Sequence, residues 1–129
     1  MNANLHFLSP ILWTKDLKAT TLFYENILGF KSQSDFPNYV SLTRDKIQIM
    51  FVSYSREPED GKPKLTGSIY IFTEKVDEFW DFVKDKTTVK SSIADRAYLM
   101  RDFSILDNNG YELVFGEDIS LKKDNHINS

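Results

Sequence analysis

The segment DLKATTLFYENILGF, residues 16–30, predicts a complete amphipathic helix followed by the start of a strand. Asp16 is a suitable N-cap, since its carboxylate can accept hydrogen bonds from free backbone N–H groups of the first turn. One helical face carries Leu17, Thr20, Thr21, Tyr24, Ile27 and Leu28. Gly29 follows where a left-handed residue ends many helices. We expect the Phe23-Tyr24 pair to pack in a core rather than to stack on a cofactor.

A similar pattern returns near residue 80, where VDEFWDFV places Val76, Phe79, Trp80 and Val83 at helical spacing. The weak repeat between FYENILGFKS and FWDFVKDKTTVKS predicts two equivalent units. Extended segments rich in β-branched and aromatic residues flank each helix. They are His6–Thr14, Phe30–Phe36, Tyr39–Arg44, Lys46–Tyr54, Ser68–Thr73, Val89–Ile93, Leu99–Leu106 and Tyr111–Gly116. The sequence therefore predicts an α+β fold made of two βαβββ modules.

The connections between these segments set the predicted boundaries. Asp45-Lys46 is short enough for a tight hairpin, and Asp107–Gly110 supplies residues that tolerate positive φ in a turn. Ser55–Gly67 is a polar loop between module 1, about residues 5–54, and module 2, about residues 67–117. We expect one domain over residues 1–117 and a flexible tail over residues 118–129.

Composition and charge exclude several classes of protein. The 129 residues are 41% apolar and 14% aromatic, which is enough for a packed core. The absence of cysteine excludes disulfides and thiolate chemistry, and a formal charge of -3 argues against nucleic-acid binding. No apolar run approaches the roughly 20 residues that span a membrane, and MNANLHFLSP does not have the pattern of a signal peptide. We expect a cytoplasmic protein.

The order of motifs resembles the vicinal-oxygen-chelate superfamily, which includes glyoxalase I, extradiol dioxygenases and bleomycin-resistance proteins. The resemblance rests on a strand, Asp-Leu at 16–17, a helix ending in Phe-Tyr, Leu-Gly-Phe at 28–30, and Asp-x-x-Gly-Tyr at 107–111 before a last strand. It covers roughly residues 5–117. It implies a cup-shaped mixed sheet with the helices on its outer face, and a homodimer whose modules line each site.

The resemblance also implies where a divalent metal would be held in the enzymes, by His, Gln or Glu on the first and last strands of each module. The matching positions here are Ser9, Met50 (or Ile49 after a one-residue slip), Ser68 and Val114. Neutral serine is a poor ligand, a thioether is soft, and valine has no donor atom. We therefore expect no metal and no other cofactor, and we favour a protein that is not an enzyme.

No other catalytic pattern stands out in the sequence. The chain has no glycine-rich phosphate loop and no H-E-x-x-H, and its two histidines, His6 and His126, lie near the termini. His6 would point away from the Ser9 face of a regular strand. Glu112 could share the face of Val114, but one carboxylate does not make a metal site, and nothing but its position singles it out for acid–base chemistry.

Strand parity predicts which side chains line the inner face of the cup. They are Ser9, Ile11, Trp13, Gln48, Met50, Val52, Ser68, Tyr70, Phe72, Glu112 and Val114. An apolar and aromatic lining with a few polar groups is typical of a small-molecule pocket. The alternative is that these side chains fill a collapsed cup or a dimer seam.

The first hypothesis is a metal-independent binding protein resembling the bleomycin-resistance branch, a dimer whose grooves sequester a planar or cationic ligand such as an antibiotic. Trp13 and Tyr70 would stack on the ligand, and Glu112 with the acidic surface would favour positive charge. The second is a metal-dependent lyase, isomerase or dioxygenase of the same superfamily with ligands at other positions. The third is a structural module whose cup is filled by its own side chains.

Overall fold

The computed structural model describes residues 3–53 and 64–120 of the chain. Its contacts divide the chain into two compact units, Met1–Pro63 and Lys64–Ser129. Within the described residues each unit consists of one helix and one four-stranded sheet, in the order strand, helix, three strands. This confirms the predicted α+β class and the two βαβββ modules.

The first unit contains β1 (Ile11–Thr14), α1 (Leu17–Asn26), β2 (Lys31–Gln33), β3 (Tyr39–Arg44) and β4 (Ile47–Ser53). Its sheet has the strand order β1-β4-β3-β2. β1 runs parallel to β4, and the other two pairings are antiparallel. The two-residue turn between β3 and β4 begins at Asp45 with φ +52, which confirms the hairpin predicted at residues 45–46.

Helix α1 begins and packs as its sequence predicts. The Asp16 carboxylate accepts a hydrogen bond from the Ala19 backbone N–H at 2.9 Å, which confirms the N-cap. Tyr24 is completely buried, and its ring centroid lies 5.4 Å from that of Phe30 and 5.3 Å from that of Phe51 on β4. The core role predicted for Tyr24 is therefore confirmed, and α1 covers the β4 face that carries Phe51.

The second unit contains β5 (Ile69–Phe72), α2 (Val76–Val83), β6 (Thr88–Asp95), β7 (Met100–Leu106) and β8 (Glu112–Asp118). Its sheet has the strand order β5-β8-β7-β6, with β5 parallel to β8 and the other pairs antiparallel. Helix α2 packs through Phe79, whose ring centroid lies 4.8 Å from that of Phe115, and through Trp80, 5.0 Å from Phe103. The second helix and its apolar face are thus confirmed.

The largest differences from the predicted strands are in the first unit, where β1 and β2 are much shorter. The predicted strand His6–Thr14 is regular only from Ile11, because Pro10 has no N–H and pairing with β4 begins where Pro10 accepts from the Met50 N–H. The predicted strand Phe30–Phe36 ends at Gln33, which pairs with Ser41. Because β3 begins just before Ser41, residues 34–38 must form the connection.

The ends of the second unit differ in smaller ways. Ser68 precedes β5 instead of belonging to it, and Leu99 precedes β7 because its backbone is left-handed, with φ +64. β8 continues to Asp118, and the buried Ile119 donates its backbone N–H to Leu99, so the ordered chain passes residue 117. This corrects the predicted start of the tail at residue 118.

Parts of the sequence predictions fall outside the described residues. They are Tyr54, most of the predicted Ser55–Gly67 loop, and residues 121–129 of the predicted tail. In the described part of the chain, neither helix is long and apolar enough to cross a membrane.

Candidate functional site

Each sheet has one face covered by the helix of its own unit and one face without it, which we call the helix-free face. The alternation of burial along β1 distinguishes the two faces: Leu12 and Thr14 are buried, whereas Ile11 and Trp13 are exposed. The same alternation holds along β4, β5 and β8. The described strand residues predicted to line the cup are on the helix-free faces, namely Ile11, Trp13, Gln48, Met50, Val52, Tyr70, Phe72, Glu112 and Val114.

In the first unit, strand register brings four of these side chains together. Ile11 pairs with Met50 and Trp13 with Val52 across the parallel β1–β4 ladder. Trp13 remains 54% exposed. Side chains directly opposite each other on one face of a sheet contact one another. On the helix-free face of the first unit, Ile11, Met50, Val52 and Trp13 therefore form an apolar strip that includes an exposed indole ring.

The polar groups beside this apolar strip hydrogen-bond to one another. The Tyr39 hydroxyl donates to the Met50 Sδ at 3.1 Å, and Gln48 Nε2 donates to the Ser41 Oγ at 2.9 Å. The Ser9 hydroxyl, from the irregular segment before β1, donates to the Gln48 backbone carbonyl at 3.3 Å. These bonds fix the side chains of Gln48 and Met50 against their own sheet.

The four positions implied by the family resemblance do not fit a divalent metal. The Ser9 hydroxyl donates its proton to the Gln48 backbone carbonyl, and the Met50 thioether accepts a hydrogen bond from the Tyr39 hydroxyl. Ser68 lies exposed in the segment before β5, and Val114 has no donor atom. Across residues 3–53 and 64–120, no cluster of three or more His, Asp or Glu side chains has the arrangement to hold an ion. The side chains at these positions are poor ligands for the metals that bind His, Gln and Glu.

In the second unit, Tyr70 lies across its sheet because the diagonal neighbour on β8 is a glycine, Gly116. Register pairs Phe72 with Gly116 and Tyr70 with Val114, so Tyr70 and Gly116 share the helix-free face. A Cβ built on Gly116 would collide with the Tyr70 hydroxyl. The Tyr70 ring also contacts Phe72, at 5.3 Å between centroids, and Phe72 is 75% exposed. Tyr70 thereby reaches over β8 to β7.

Asp102 on β7 is the centre of a polar cluster on this face. Its Oδ2 accepts from the Tyr70 hydroxyl at 2.9 Å and from the Tyr98 hydroxyl at 2.6 Å. Its Oδ1 accepts from Arg96 Nε at 2.8 Å, and Arg96 Nη2 also donates to the Ser91 Oγ at 3.0 Å. We call Tyr70, Arg96, Tyr98 and Asp102 the Asp102 cluster. It joins β5 and β7 to the connection between β6 and β7.

The protonation states within the Asp102 cluster follow from burial and hydrogen bonding. Burial raises the pKa of Asp102, but the hydrogen bonds from Tyr98, Arg96 and Tyr70 outweigh burial, so this pKa lies below its usual value. Burial and the bond to Asp102 raise the pKa of Tyr70, and the bond to Asp102 raises the pKa of Tyr98. At neutral pH the carboxylate is ionised and both phenols keep their protons.

Glu112 and Ser104 are two further polar side chains on this face. The Glu112 carboxylate, predicted to favour cationic ligands, forms an ion pair with Lys90 at 3.2 Å. Ser104 lies two residues from Asp102 on the same strand face and is 2% exposed. Its Oγ makes no hydrogen bond with any residue in the described ranges. A buried hydroxyl without a partner is unusual in a protein.

Sequence reasoning did not find the Asp102 cluster beyond Tyr70. The signal was present in β7, whose sequence MRDFSIL alternates between faces. Since Phe103 and Ile105 face the core, Asp102 and Ser104 must face the other way. Aspartate is depleted in strands, so its presence inside an apolar run indicates a specific partner.

Comparison with known proteins agrees with this architecture. Residues 5–115 match the family model described as Glyoxalase/Bleomycin resistance protein/Dioxygenase superfamily. The fold is similar to that of a protein of unknown function from Agrobacterium tumefaciens, with a TM-score of 0.74 and 18% identity over 90% of this chain and 96% of that one. No curated protein matches the chain.

Two structures described by the same family name are also similar in fold. The glyoxalase/bleomycin resistance protein/dioxygenase from Nocardioides has a TM-score of 0.73 and 15% identity over 93% of this chain and 87% of that one. The structure with the same description from Alicyclobacillus acidocaldarius has a TM-score of 0.73 and 15% identity over 95% of this chain and 98% of that one. The family model spans most of the sequence, and the expectation drawn from the motif order is confirmed. This chain belongs to the glyoxalase/bleomycin resistance protein/dioxygenase superfamily.

Proposed function

We propose that this chain is a metal-independent binding protein that sequesters a planar or cationic small molecule, in the manner that the bleomycin-resistance part of the family name suggests. The observation that carries the proposal is the exposure of large aromatic rings on the helix-free faces, Trp13 at 54% and Phe72 at 75%. A soluble domain places such rings in solvent at a cost, and contiguous exposed apolar surface is typical of binding sites. Flat rings with a polar edge can stack on a ligand and still hydrogen-bond.

The character of the two helix-free faces supports binding more than bond-breaking chemistry. Gln48, Met50 and Ser9 are held by bonds to their own sheet, and Glu112 is paired with Lys90. A general acid or base needs a titratable group within reach of the substrate, with its pKa near the working pH. The pKa values of Tyr70 and Tyr98 are instead moved away from neutrality.

The proposed assembly is a homodimer, and its support is the apolar segment before β1. Leu5, Phe7 and Leu8 are almost fully exposed and have no regular secondary structure. A self-complementary contact between two copies would bury such side chains. Light scattering during size exclusion should give twice the 15.0 kDa of the chain, and Phe7→Glu with Leu8→Glu should lower that mass. A single 15.0 kDa species in the unchanged protein contradicts the dimer.

The binding proposal is tested by fluorescence titration with two probes, bleomycin and the planar cationic dye proflavine. The chain has two tryptophans, Trp13 and Trp80. Trp80 belongs to α2 and packs on Phe103, so the variant Trp80→Phe leaves Trp13 as the only fluorescent reporter. We expect a saturable quench of Trp13 and a loss of affinity of about tenfold or more in Trp13→Ala, since aromatic anchors carry much of a binding energy. Unchanged affinity in Trp13→Ala, or no saturable response to either probe, contradicts the proposal.

A further inference from the structure

The Asp102 cluster presents hydrogen-bond acceptors whose direction is fixed. Both phenol protons, from Tyr70 and Tyr98, are donated to the Asp102 carboxylate. A phenol oxygen whose proton is committed can only accept further hydrogen bonds. The adjoining carboxylate polarises each phenol and strengthens its oxygen as an acceptor. Tyr98 is 62% exposed, so its oxygen is the more accessible of the two.

The same cluster also presents donors. Arg96 uses Nε on Asp102 and Nη2 on Ser91 and the Ser92 carbonyl. None of the hydrogen bonds that it forms within the described residues involves Nη1, which carries two N–H groups. The Arg96 side chain is 27% exposed. Arg96 bonds to one oxygen of the Asp102 carboxylate and Tyr98 to the other. The Nη1 donor of Arg96 and the acceptor oxygen of Tyr98 are therefore held at the same carboxylate.

The charges on this face cancel in pairs. Arg96 neutralises Asp102 at 2.8 Å, and Lys90 neutralises Glu112 at 3.2 Å. An ammonium ion that approached the phenol oxygens would meet the guanidinium, and a carboxylate would meet Asp102. Because opposite charges this close together leave little net field, the face has no reason to select an ion of either sign.

Flat apolar surface adjoins the polar groups. The exposed Phe72 ring lies 5.3 Å from the Tyr70 ring, and the exposed Tyr98 ring is held at the same Asp102 oxygen that Tyr70 bonds. Aromatic rings at these separations favour stacking on a planar partner. Ser104, two residues from Asp102 on the same strand face, is buried and has no hydrogen bond to any described residue, so it adds no charge to this face.

Resting on the proposed function, we infer that the Asp102 cluster binds an uncharged planar group that has an N–H donor next to a carbonyl acceptor, as in a carboxamide, lactam or urea. The carbonyl oxygen accepts from Arg96 Nη1, and the N–H donates to the phenol oxygen of Tyr98. The ring or plane that carries this group stacks on Tyr98 or Phe72. The proposed function allows a planar or a cationic ligand. This face selects a planar ligand that carries no charge.

The test uses three probes of the same shape and different charge: benzamide, benzamidine, which is a cation at neutral pH, and benzoate. Each is titrated into the full-length protein while NMR follows the Arg96 side-chain N–H signals and the backbone amides of Tyr98 and Asp102. We expect benzamide to shift these signals with an affinity at least about fivefold higher than either ion, the value of one well-made hydrogen bond. Equal or weaker binding of benzamide overturns the inference.

A conservative variant sharpens the test because it should reverse the preference. Tyr98→Phe removes the acceptor oxygen and frees a lone pair of the Asp102 carboxylate, so benzamide should bind more weakly and benzamidine more tightly. The control is Phe82→Ala, which removes a half-exposed ring from α2, on the opposite face of the same sheet. Phe82→Ala should leave both affinities unchanged. An unchanged ratio of affinities in Tyr98→Phe contradicts the inference.

The outcomes separate this inference from the proposed function. If benzamidine binds best in the unchanged protein, the inference fails while a cation-binding function stands. If none of the three probes shifts the NMR signals of the Asp102 cluster but proflavine still quenches Trp13 fluorescence, the inference alone fails. If neither experiment gives saturable binding, both fail.

Discussion

The hydroxyl of Tyr70 occupies the space that a side chain at Gly116 would need, and a Cβ there would lie 2.9 Å from Tyr70 Cε1 as well. The two residues are on neighbouring parallel strands, β5 and β8, and the missing side chain lets the phenol cross β8 to Asp102. The glycine is therefore required by side-chain packing. The polar cluster on the helix-free face depends on it.

Gly116→Ala should destabilise the protein by about 1–3 kcal/mol, the usual cost of placing an extra group in filled space. It should also weaken the Tyr70–Asp102 hydrogen bond. The measurement is urea unfolding followed by circular dichroism. The control is a double-mutant cycle: in a Tyr70→Ala background, where the space is empty, Gly116→Ala should be neutral or slightly stabilising. A full penalty in that background would show that another clash is responsible.

The stability of the fold should fall in acid through Asp102. Because the folded-state pKa of Asp102 is lower than its unfolded value of about 3.9, the stabilisation is complete above roughly pH 5. It is lost as the pH falls through the folded pKa. Between pH 5 and pH 2 the unchanged protein should therefore lose more unfolding free energy than Asp102→Asn, whose side chain does not ionise.

The acid measurement needs a carboxylate control on the same unit. Asp85→Asn serves, because Asp85 is exposed in the turn after α2 and forms none of the described hydrogen bonds. Its pH dependence should parallel that of the unchanged protein. If Asp102→Asn loses as much unfolding free energy in acid as the unchanged protein, the Asp102 carboxylate does not stabilise the fold as its hydrogen bonds indicate.

The core of the first unit should depend on Tyr24. Tyr24→Ala removes a fully buried ring that contacts Phe30 and Phe51, so it should cost about 3–5 kcal/mol. Leu22→Ala on the same helix is the matched control, since Leu22 is 46% exposed and should change stability by less than about 0.5 kcal/mol. Thermal or urea unfolding measures both. Similar losses in the two variants would contradict the assigned helix face.

Local patterns made the two modules predictable from sequence. The N-cap at Asp16, the buried Tyr24 and the left-handed Gly29, with φ +74, each follow from short-range chemistry. Strand ends did not follow in the same way, because they depend on backbone pairing with a neighbouring strand. The β1 strand begins only at Ile11, although β4 extends back to Ile47, because Pro10 has no N–H to continue the ladder.

The helix-free faces were predictable only in part for the same reason. The period of two along β1, β4, β5 and β8 placed Trp13 and Tyr70 on these faces. The partners of Tyr70 were not predictable from periodicity. Asp102 lies 32 residues away in sequence and two strands away in the sheet, and their bond exists because Gly116 leaves room. Such contacts depend on the packing of side chains from several strands.

We propose that this chain binds its ligand without a metal, because Ser9, Met50, Ser68 and Val114 are the residues at the positions where the family resemblance implies metal ligands. The test is elemental analysis by mass spectrometry. The protein is purified without chelator, incubated with excess zinc, manganese, nickel or iron, and desalted. We predict far less than one ion per chain in every case. One divalent ion per chain, released by a chelator, would contradict metal-independent binding and favour a metal-dependent enzyme.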